Sequence, residues 1–402
     1  MPPSVAPLAG IRVLDLSRLL PGPYATLVLA DLGADVVKVE DTGMGDYLRL
    51  LPPSVPGTGM GAAYVALNRG KRSIALDLKR PEAREAFLRL AATADVVVES
   101  FRPGVMERLG VGWGALVARN PGIVLCSISG YGQSGPYRDR AGHDLNYAAV
   151  AGVLGLSAAA PAAAPHPLPV QLADIAGGGL WSAIGILAAL AGRAASGGAG
   201  RWLDVSMTDG AASFIGHELA VATVTGAPIA RGAELLTGAS PTYRVYETAD
   251  GKFLSVGALE PKFWGALCLA IERPDLAEHA NAQGEERARV AAALGAVLKT
   301  RTRDQWVERF AGLDVCVEPV LASDEVAGHP VHAGRGSFVD MDGGGAGALR
   351  VLATPAARIA GVAAARGAAP GHGEHTRAVL RAAGLEDGEI DSMLAVGAAA
   401  QP

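Results

Sequence analysis

Ile11-Arg12-Val13-Leu14-Asp15-Leu16 and Asp35-Val36-Val37-Lys38-Val39-Glu40 are two short apolar runs. Pro21-Gly22-Pro23 breaks the chain between them, and from Tyr24 to Leu32 apolar residues recur at helical spacing. Gly33 then stands where a helix end favours glycine. Strand, helix and strand in that order make a βαβ opening, which calls for parallel strands.

The same alternation continues downstream. Ser73-Ile74-Ala75-Leu76-Asp77-Leu78, Asp95-Val96-Val97-Val98-Glu99 and the run from Ile123 to Ser129 read as three more strands. Helical patterns open at Pro81, Pro103 and Gly112, and Trp202 to Ser206 adds a strand. Repeated αβ alternation predicts a doubly wound, Rossmann-like parallel sheet in an α/β fold.

The chain has 402 residues, too many for one ordinary core. Composition shifts at Thr242. Tyr243-Arg244-Val245-Tyr246 and Phe253-Leu254-Ser255-Val256 flank an Asp250-Gly251 turn, which predicts a hairpin. The expected organisation is a large domain over 1–206, a linker helix and loop over 207–240, a small α+β domain over 241–325, and a C-terminal return over 326–402.

Half of the residues are hydrophobic and 19% are charged, which suits a packed globular chain. The net charge of −5 gives no electrostatic case for nucleic acid. Cys126, Cys268 and Cys316 are far apart and form no paired motif, so reduced thiols are expected. The N-terminus lacks the basic-then-apolar pattern of a secretion signal, and a cytoplasmic protein is expected. The apolar run from Gly177 to Leu190 is short for a membrane span and reads as a core helix; no membrane partner is expected.

Two stretches carry the chemistry. Gly142-His143-Asp144-Leu145-Asn146-Tyr147 follows the glycine-rich, tyrosine-bearing segment Ser129 to Pro136 and opens a helix. The first backbone N–H groups of that helix have no partner within it. A histidine here is either structural or a neutral imidazole able to take a proton. Leu172-Ala173-Asp174-Ile175-Ala176-Gly177-Gly178-Gly179 places a carboxylate before an apolar helix. Asp174 is either an N-cap or an acid whose pKa desolvation raises.

Other signals are weaker. Arg69, Lys71 and Arg72 precede a strand, either as a solvated turn or as a clamp for an anion. Arg102 follows a strand's carboxyl end, where open α/β sheets bind ligands. Gly57-Thr58-Gly59-Met60-Gly61 lacks dinucleotide-fingerprint spacing and reads as a loop. His372 and His375 lack a third ligand in reach, so no metal is expected. Glu260 begins a helix of the small domain.

The chain resembles the family III CoA-transferases. The resemblance rests on Leu8 to Leu16, Asp31 to Glu40, Asn68 to Lys79, Arg102 to Gly110 and Gly130 to Pro136. Within that family, Gly142-His143-Asp144, Leu172 to Gly179 and Val256 to Pro261 are similar to the α-methylacyl-CoA racemase branch, where transferases usually carry tyrosine at the position of His143.

The resemblance implies 1,1-proton transfer that interconverts 2R and 2S 2-methylacyl-CoA thioesters. His143 and Asp174 would be the acid/base pair, and the N–H of Asp144 the oxyanion donor. Leu76, Asp77, Leu78 and Lys79, with Gly142, Leu145, Asn146 and Tyr147, would line the acyl-CoA site beside Tyr131. The resemblance also implies an interlocked homodimer, in which the partner's small domain offers Glu260 to orient His143. No cofactor is implied beyond coenzyme A as part of the substrate.

Two features depart from the racemase branch. Asp41 stands where racemases carry a phosphate-binding arginine, and the segment 42–66 follows the transferase pattern. Lys38, Arg69, Lys71, Arg72 and Arg102 are then the expected phosphate ligands. The alternative activity is CoA transfer between carboxylic acids, with Asp174 as nucleophile.

Overall fold

The βαβ opening forms as its spacing requires. In a computed structural model, β1 (Arg12–Asp15) pairs in parallel with β2 (Asp35–Glu40), Val13 beside Val36 and Leu14 beside Val37. The intervening helix, Pro21–Asp31, has prolines in its first turn, where a missing N–H costs nothing. The structure describes residues 5–158, 163–343, 347–365 and 367–402.

β3 (Arg72–Leu76), β4 (Val96–Glu99), β5 (Val124–Ser129) and β6 (Arg201–Ser206) extend the sheet. The spatial order is 3-2-1-4-5-6, with β1 pairing to β2 on one side and β4 on the other. That is the strand order of a doubly wound sheet, and its switch point lies between β1 and β4. Strands β2 to β5 are almost wholly buried on both faces, which explains why they are rich in Val, Ile and Leu and do not alternate apolar with polar residues. A short C-terminal strand, Ala399–Ala400, not foreseen in the sequence, closes the β3 edge antiparallel.

The chain divides into two units. One comprises Met1–Ala151, Pro169–Phe214 and Pro330–Pro402; the other comprises Gly152–Leu168 and Ile215–His329. The second unit thus contains the expected 241–325 domain and takes in 152–168 and 215–240 as well. Its sheet is β7 (Tyr243–Glu247), β8 (Phe253–Gly257) and β9 (Val317–Pro319), with β7 and β8 forming the expected hairpin. Trp264 and Trp306 are buried in its core and donate to the carbonyls of Leu276 and Leu298.

Three local expectations are corrected. The helix after His143 stops at Val150, and a second short one runs Val153–Leu156; Pro165, Pro167 and Pro169 then keep the chain from helix until Leu172. The loop expected at Gly57–Gly61 leads into an unforeseen helix, Ala62–Asn68, beneath which Tyr64 is buried. The apolar helix after Asp174 is buried on one face through Ser182, Ala183 and Ile186 but exposes Trp181 and Ile184 on the other. The helical run Ala173–Gly192 is long and apolar enough to cross a membrane by length and composition.

Candidate active site

The carboxyl ends of β4 and β5 open into a cavity of about 730 Å³. His143, Asp174, Arg102, Gly142, Asn146 and Tyr147 all line it. Six residues expected to act together are therefore brought to one place by three separate chain segments.

His143 caps the Asp144–Val150 helix with extended backbone geometry, and its own N–H donates to the Asn146 side chain at 3.0 Å. That bond fixes the histidine's backbone and leaves its ring exposed. Tyr147 lies against two glycines. A Cβ on Gly130 would come within 2.3 Å of its ring, and one on Gly142 within 2.6 Å. Its hydroxyl donates to the Gly142 carbonyl, and Tyr131 meets its ring edge-on at 5.2 Å. Burial pushes the Tyr147 hydroxyl up to about 12, so it stays a neutral wall.

Asp174 sits in a π-helical stretch, Ala173–Leu180, that leads into the Trp181–Gly192 helix. Such widened turns recur at functional sites. The triple glycine explains how the stretch is held. A Cβ on Gly177 would lie 2.6 Å from the Met207 carbonyl oxygen, and one on Gly179 would lie 3.0 Å from the Pro21 carbonyl oxygen. Only glycine permits this approach to the helices on either side.

The Asp174 carboxyl makes no hydrogen bond among the described residues. Desolvation, aided by the negative charge of Asp144, raises it to about 7. Asp144 turns its carboxylate away from its own N–H and accepts the backbone N–H of Asp174 at 2.9 Å. The Asp144 N–H has no partner among the described residues, as the first N–H of a helix should not. Ser129, at the end of β5, also lines the cavity, and its buried hydroxyl has no partner among the described residues.

The cationic rim differs from the expected one. Lys38 is fully buried and pairs with Asp46 at 2.9 Å. Arg69 is fully buried against Asp31 through two short bonds. Lys71 is buried among Asp15, Thr26 and Asn68, and burial brings it down to about 8. Arg72 pairs with Asp35 at 2.6 Å. None of these four lines the cavity. The segment 69–72 precedes β3 and so lies at the amino edge of the sheet, away from the carboxyl ends where the cavity opens.

Leu76 and Leu78 are buried in the core, Asp77 faces Arg80 at 3.6 Å, and Lys79 is exposed; none lines the cavity. Leu145 is exposed outside it. Glu260 caps the Pro261–Ala270 helix of the other unit, exposed at the surface of that unit.

Arginines of the cavity itself are Arg18, Arg102, Arg138 and Arg140. Arg102 and Arg140 have no carboxylate partner among the described residues. Arg140 instead stacks over Tyr137 at 3.7 Å. Arg138 is fixed by the Gln133 carbonyl at 2.9 Å. Arg18 pairs with Asp41 at 2.7 Å and lies over the rings of Tyr47 and Phe101. Sequence reading overlooked Arg18, Arg138 and Arg140. The rule that singled out Arg102, a cation just past a strand's carboxyl end, also applies to Arg18 after β1 and to the loop after β5.

A doubly wound sheet with an imidazole, a raised carboxyl and an arginine rim at its carboxyl end is an arrangement suited to acid/base or nucleophilic chemistry on an anionic ligand. The pattern of CoA-transferase family III matches residues 8–376, and the chain belongs to that family. It is 38% identical over 388 residues to an α-methylacyl-CoA racemase of Mus musculus, covering 95% of each chain. It is 35% identical over 355 residues to a succinate–glutarate CoA-transferase of Agrobacterium fabrum, covering 85% of this chain and 87% of that one. A crystal structure of a CaiB/BaiF family protein from Brucella suis superposes with a TM-score of 0.82 at 32% identity, covering 94% of this chain and all of the other. The protein is thus an enzyme of the family III CoA-transferase and racemase class, and an acyl-CoA substrate is consistent with that family.

Proposed function

We propose that the protein interconverts the 2R and 2S forms of 2-methylacyl-CoA thioesters. The supporting observation is that His143 and Asp174 line one cavity while the Asp174 carboxyl is held near 7. At neutral pH such a carboxyl is substantially protonated and can deliver a proton, and an imidazole can receive one.

In the forward direction His143 removes the α-proton, and the C–H electron pair passes into the thioester carbonyl to give an enolate. The Asp174 carboxyl returns a proton to the opposite face, leaving an imidazolium and a carboxylate. The other enantiomer is processed with the two roles exchanged. The enolate oxygen takes the free N–H of Asp144; loss of one such donor costs about 2.7–4 kcal/mol in oxyanion sites. The phosphates of CoA are held by Arg102 and Arg140, with Arg18 and Arg138 beside them.

A homodimer belongs to this reading, with Glu260 of the partner subunit orienting His143. Exposed Leu219, Val221 and Val224 on a helix with no buried residue support an assembly. Coenzyme A enters as part of the substrate and no other cofactor is needed, since both proton carriers are side chains. A cytoplasmic location is part of the same proposal.

A second reading is CoA transfer, favoured by the similarity to the Agrobacterium enzyme. Asp174 would attack the thioester carbonyl and expel CoA thiolate, and the thiolate would then attack the resulting anhydride at the aspartyl carbon. The two are separated by one comparison. Racemisation requires deuterium entry at the α-carbon in D₂O without a second acid, whereas transfer requires acyl-CoA-dependent trapping of Asp174 by hydroxylamine.

A further inference from the structure

Asp144 does something its sequence position does not suggest. As the first residue of a helix it could fold its carboxylate back onto its own N-terminus. It instead reaches across to the π-helical stretch and accepts the backbone N–H of Asp174 at 2.9 Å. Two carboxylate-bearing residues are thus tied together by a hydrogen bond that uses the backbone of one and the side chain of the other. The bond fixes where Asp174 stands and fixes a negative charge beside it.

Other groups on the elements around Asp174 do not oppose that charge. Tyr147, on the same helix as Asp144, stays neutral, and Tyr24 on the Pro21–Asp31 helix is also raised by burial. Asp204 of β6 is bound to the Gln133 N–H, and Asp209 lies in the first turn of the Met207–Ala212 helix. His143 and Arg102 share the cavity, yet neither makes an ion pair with Asp174 among the described residues. Asp144 is the one charged group whose field raises Asp174, second only to desolvation.

We propose that the Asp144 side chain is a positioning residue for proton transfer: its carboxylate anchors the turn that carries Asp174 and holds a fixed negative charge beside the acid that faces the substrate carbon. This rests on Asp174 being a proton carrier. It also gives one residue two separate duties, with the N–H serving the enolate oxygen and the side chain serving the acid.

The test uses the full-length protein with Asp144→Asn and Asp144→Ala. An asparagine oxygen can still accept the Asp174 N–H but removes the charge; alanine removes both. Carbodiimide modifies protonated carboxyls, so the pH midpoint of labelling at Asp174, read by peptide mass spectrometry, reports its protonation without turnover. The expected result is a midpoint near 7 in the wild type, lowered by about one pH unit in Asp144→Asn. The alkaline limb of α-proton exchange should move with it. An unchanged midpoint in a folded Asp144→Asn protein would overturn the inference. If exchange does not depend on Asp174 at all, the racemase reading fails, while the labelling midpoints still decide what Asp144 does.

Discussion

Gly177 and Gly210 meet backbone to backbone: a Cβ on Gly210 would lie 2.1 Å from the Gly177 carbonyl oxygen, and one on Gly177 would lie 2.9 Å from the Ala211 nitrogen. This crossing holds the π-helical stretch of Asp174 against the Met207–Ala212 helix. Both conflicts are with backbone, which cannot rotate aside. Gly177→Ala is therefore expected to destabilise the protein by about 1–3 kcal/mol, the range for overpacking. Because the displaced element carries Asp174, activity should fall more than stability does. Urea unfolding and α-proton exchange on the same sample measure the two.

Arg102 and Arg140 face the cavity without carboxylate partners, whereas Arg69 is fully buried against Asp31. Alanine at Arg102 or Arg140 should raise KM for an acyl-CoA about tenfold, or about 1.4 kcal/mol, with little effect on melting. Alanine at Arg69 should cost about 3–5 kcal/mol of stability by stranding a buried carboxylate. Steady-state kinetics beside thermal melts separates the two kinds of arginine. An Arg69→Ala protein with native melting and a raised KM would return Arg69 to the ligand site.

Arg18 is held at the cavity by Asp41 at 2.7 Å. An anionic ligand must compete with that carboxylate for the guanidinium. Asp41→Ala should therefore tighten binding of CoA, by roughly threefold for a partly exposed pair worth under 1 kcal/mol. The gain should vanish when Arg18→Ala is added. Titration calorimetry with CoA tests this, and weaker binding by Asp41→Ala would contradict it.

Glu99 ends β4 as a buried carboxyl that burial, with the charge of Glu107, raises to about 7, against hydrogen bonds from Ser127 and the Phe101 N–H. The folded protein therefore binds a proton that the unfolded chain has released above its ordinary 4.5. Its stabilising contribution is full below pH 4.5 and declines until pH 7; Asp174, raised from 3.8 to about 7, acts in the same direction. Asp15 and Glu40 act oppositely. Burial resists their ionisation, but the cations Lys38, Lys71 and Arg49 hold both at about 2, so their contribution is lost as pH falls below 4 toward 2. Glu99→Gln should flatten the decline between pH 5 and 8 and leave the variant more stable at pH 8 by on the order of 1–3 kcal/mol. Chemical denaturation at the two pH values checks it.

The parallel sheet was legible because buried strands announce themselves as unbroken apolar runs, and because prolines and glycines mark the helices between them. The C-terminal strand was not, since Ala399-Ala400 carries no strand signal and pairs only because β3 leaves an open edge. His143 and Asp174 could be singled out from their segments, and both line the cavity. The cations could not be sorted by sequence. Lys38, Arg69 and Lys71 look like surface charges until Asp46, Asp31 and Asp15 are folded onto them, the last two from far away in sequence. His372 and His375 posed the same problem. One binds the Asp41 carbonyl and the other the Ser73 N–H, so both dock the C-terminal segment onto the sheet.

Racemisation depends on His143 and Asp174 exchanging protons with the α-carbon of an acyl-CoA. A single enantiomer of a 2-methylacyl-CoA, incubated with the enzyme in D₂O and followed by NMR and chiral chromatography, tests it most directly. The expected result is deuterium at the α-carbon, loss of optical purity at a matching rate, and loss of racemisation in both His143→Ala and Asp174→Asn. An optically pure, undeuterated thioester after prolonged incubation across several acyl chains, together with CoA appearing on an added carboxylic acid, would contradict it and establish transfer instead.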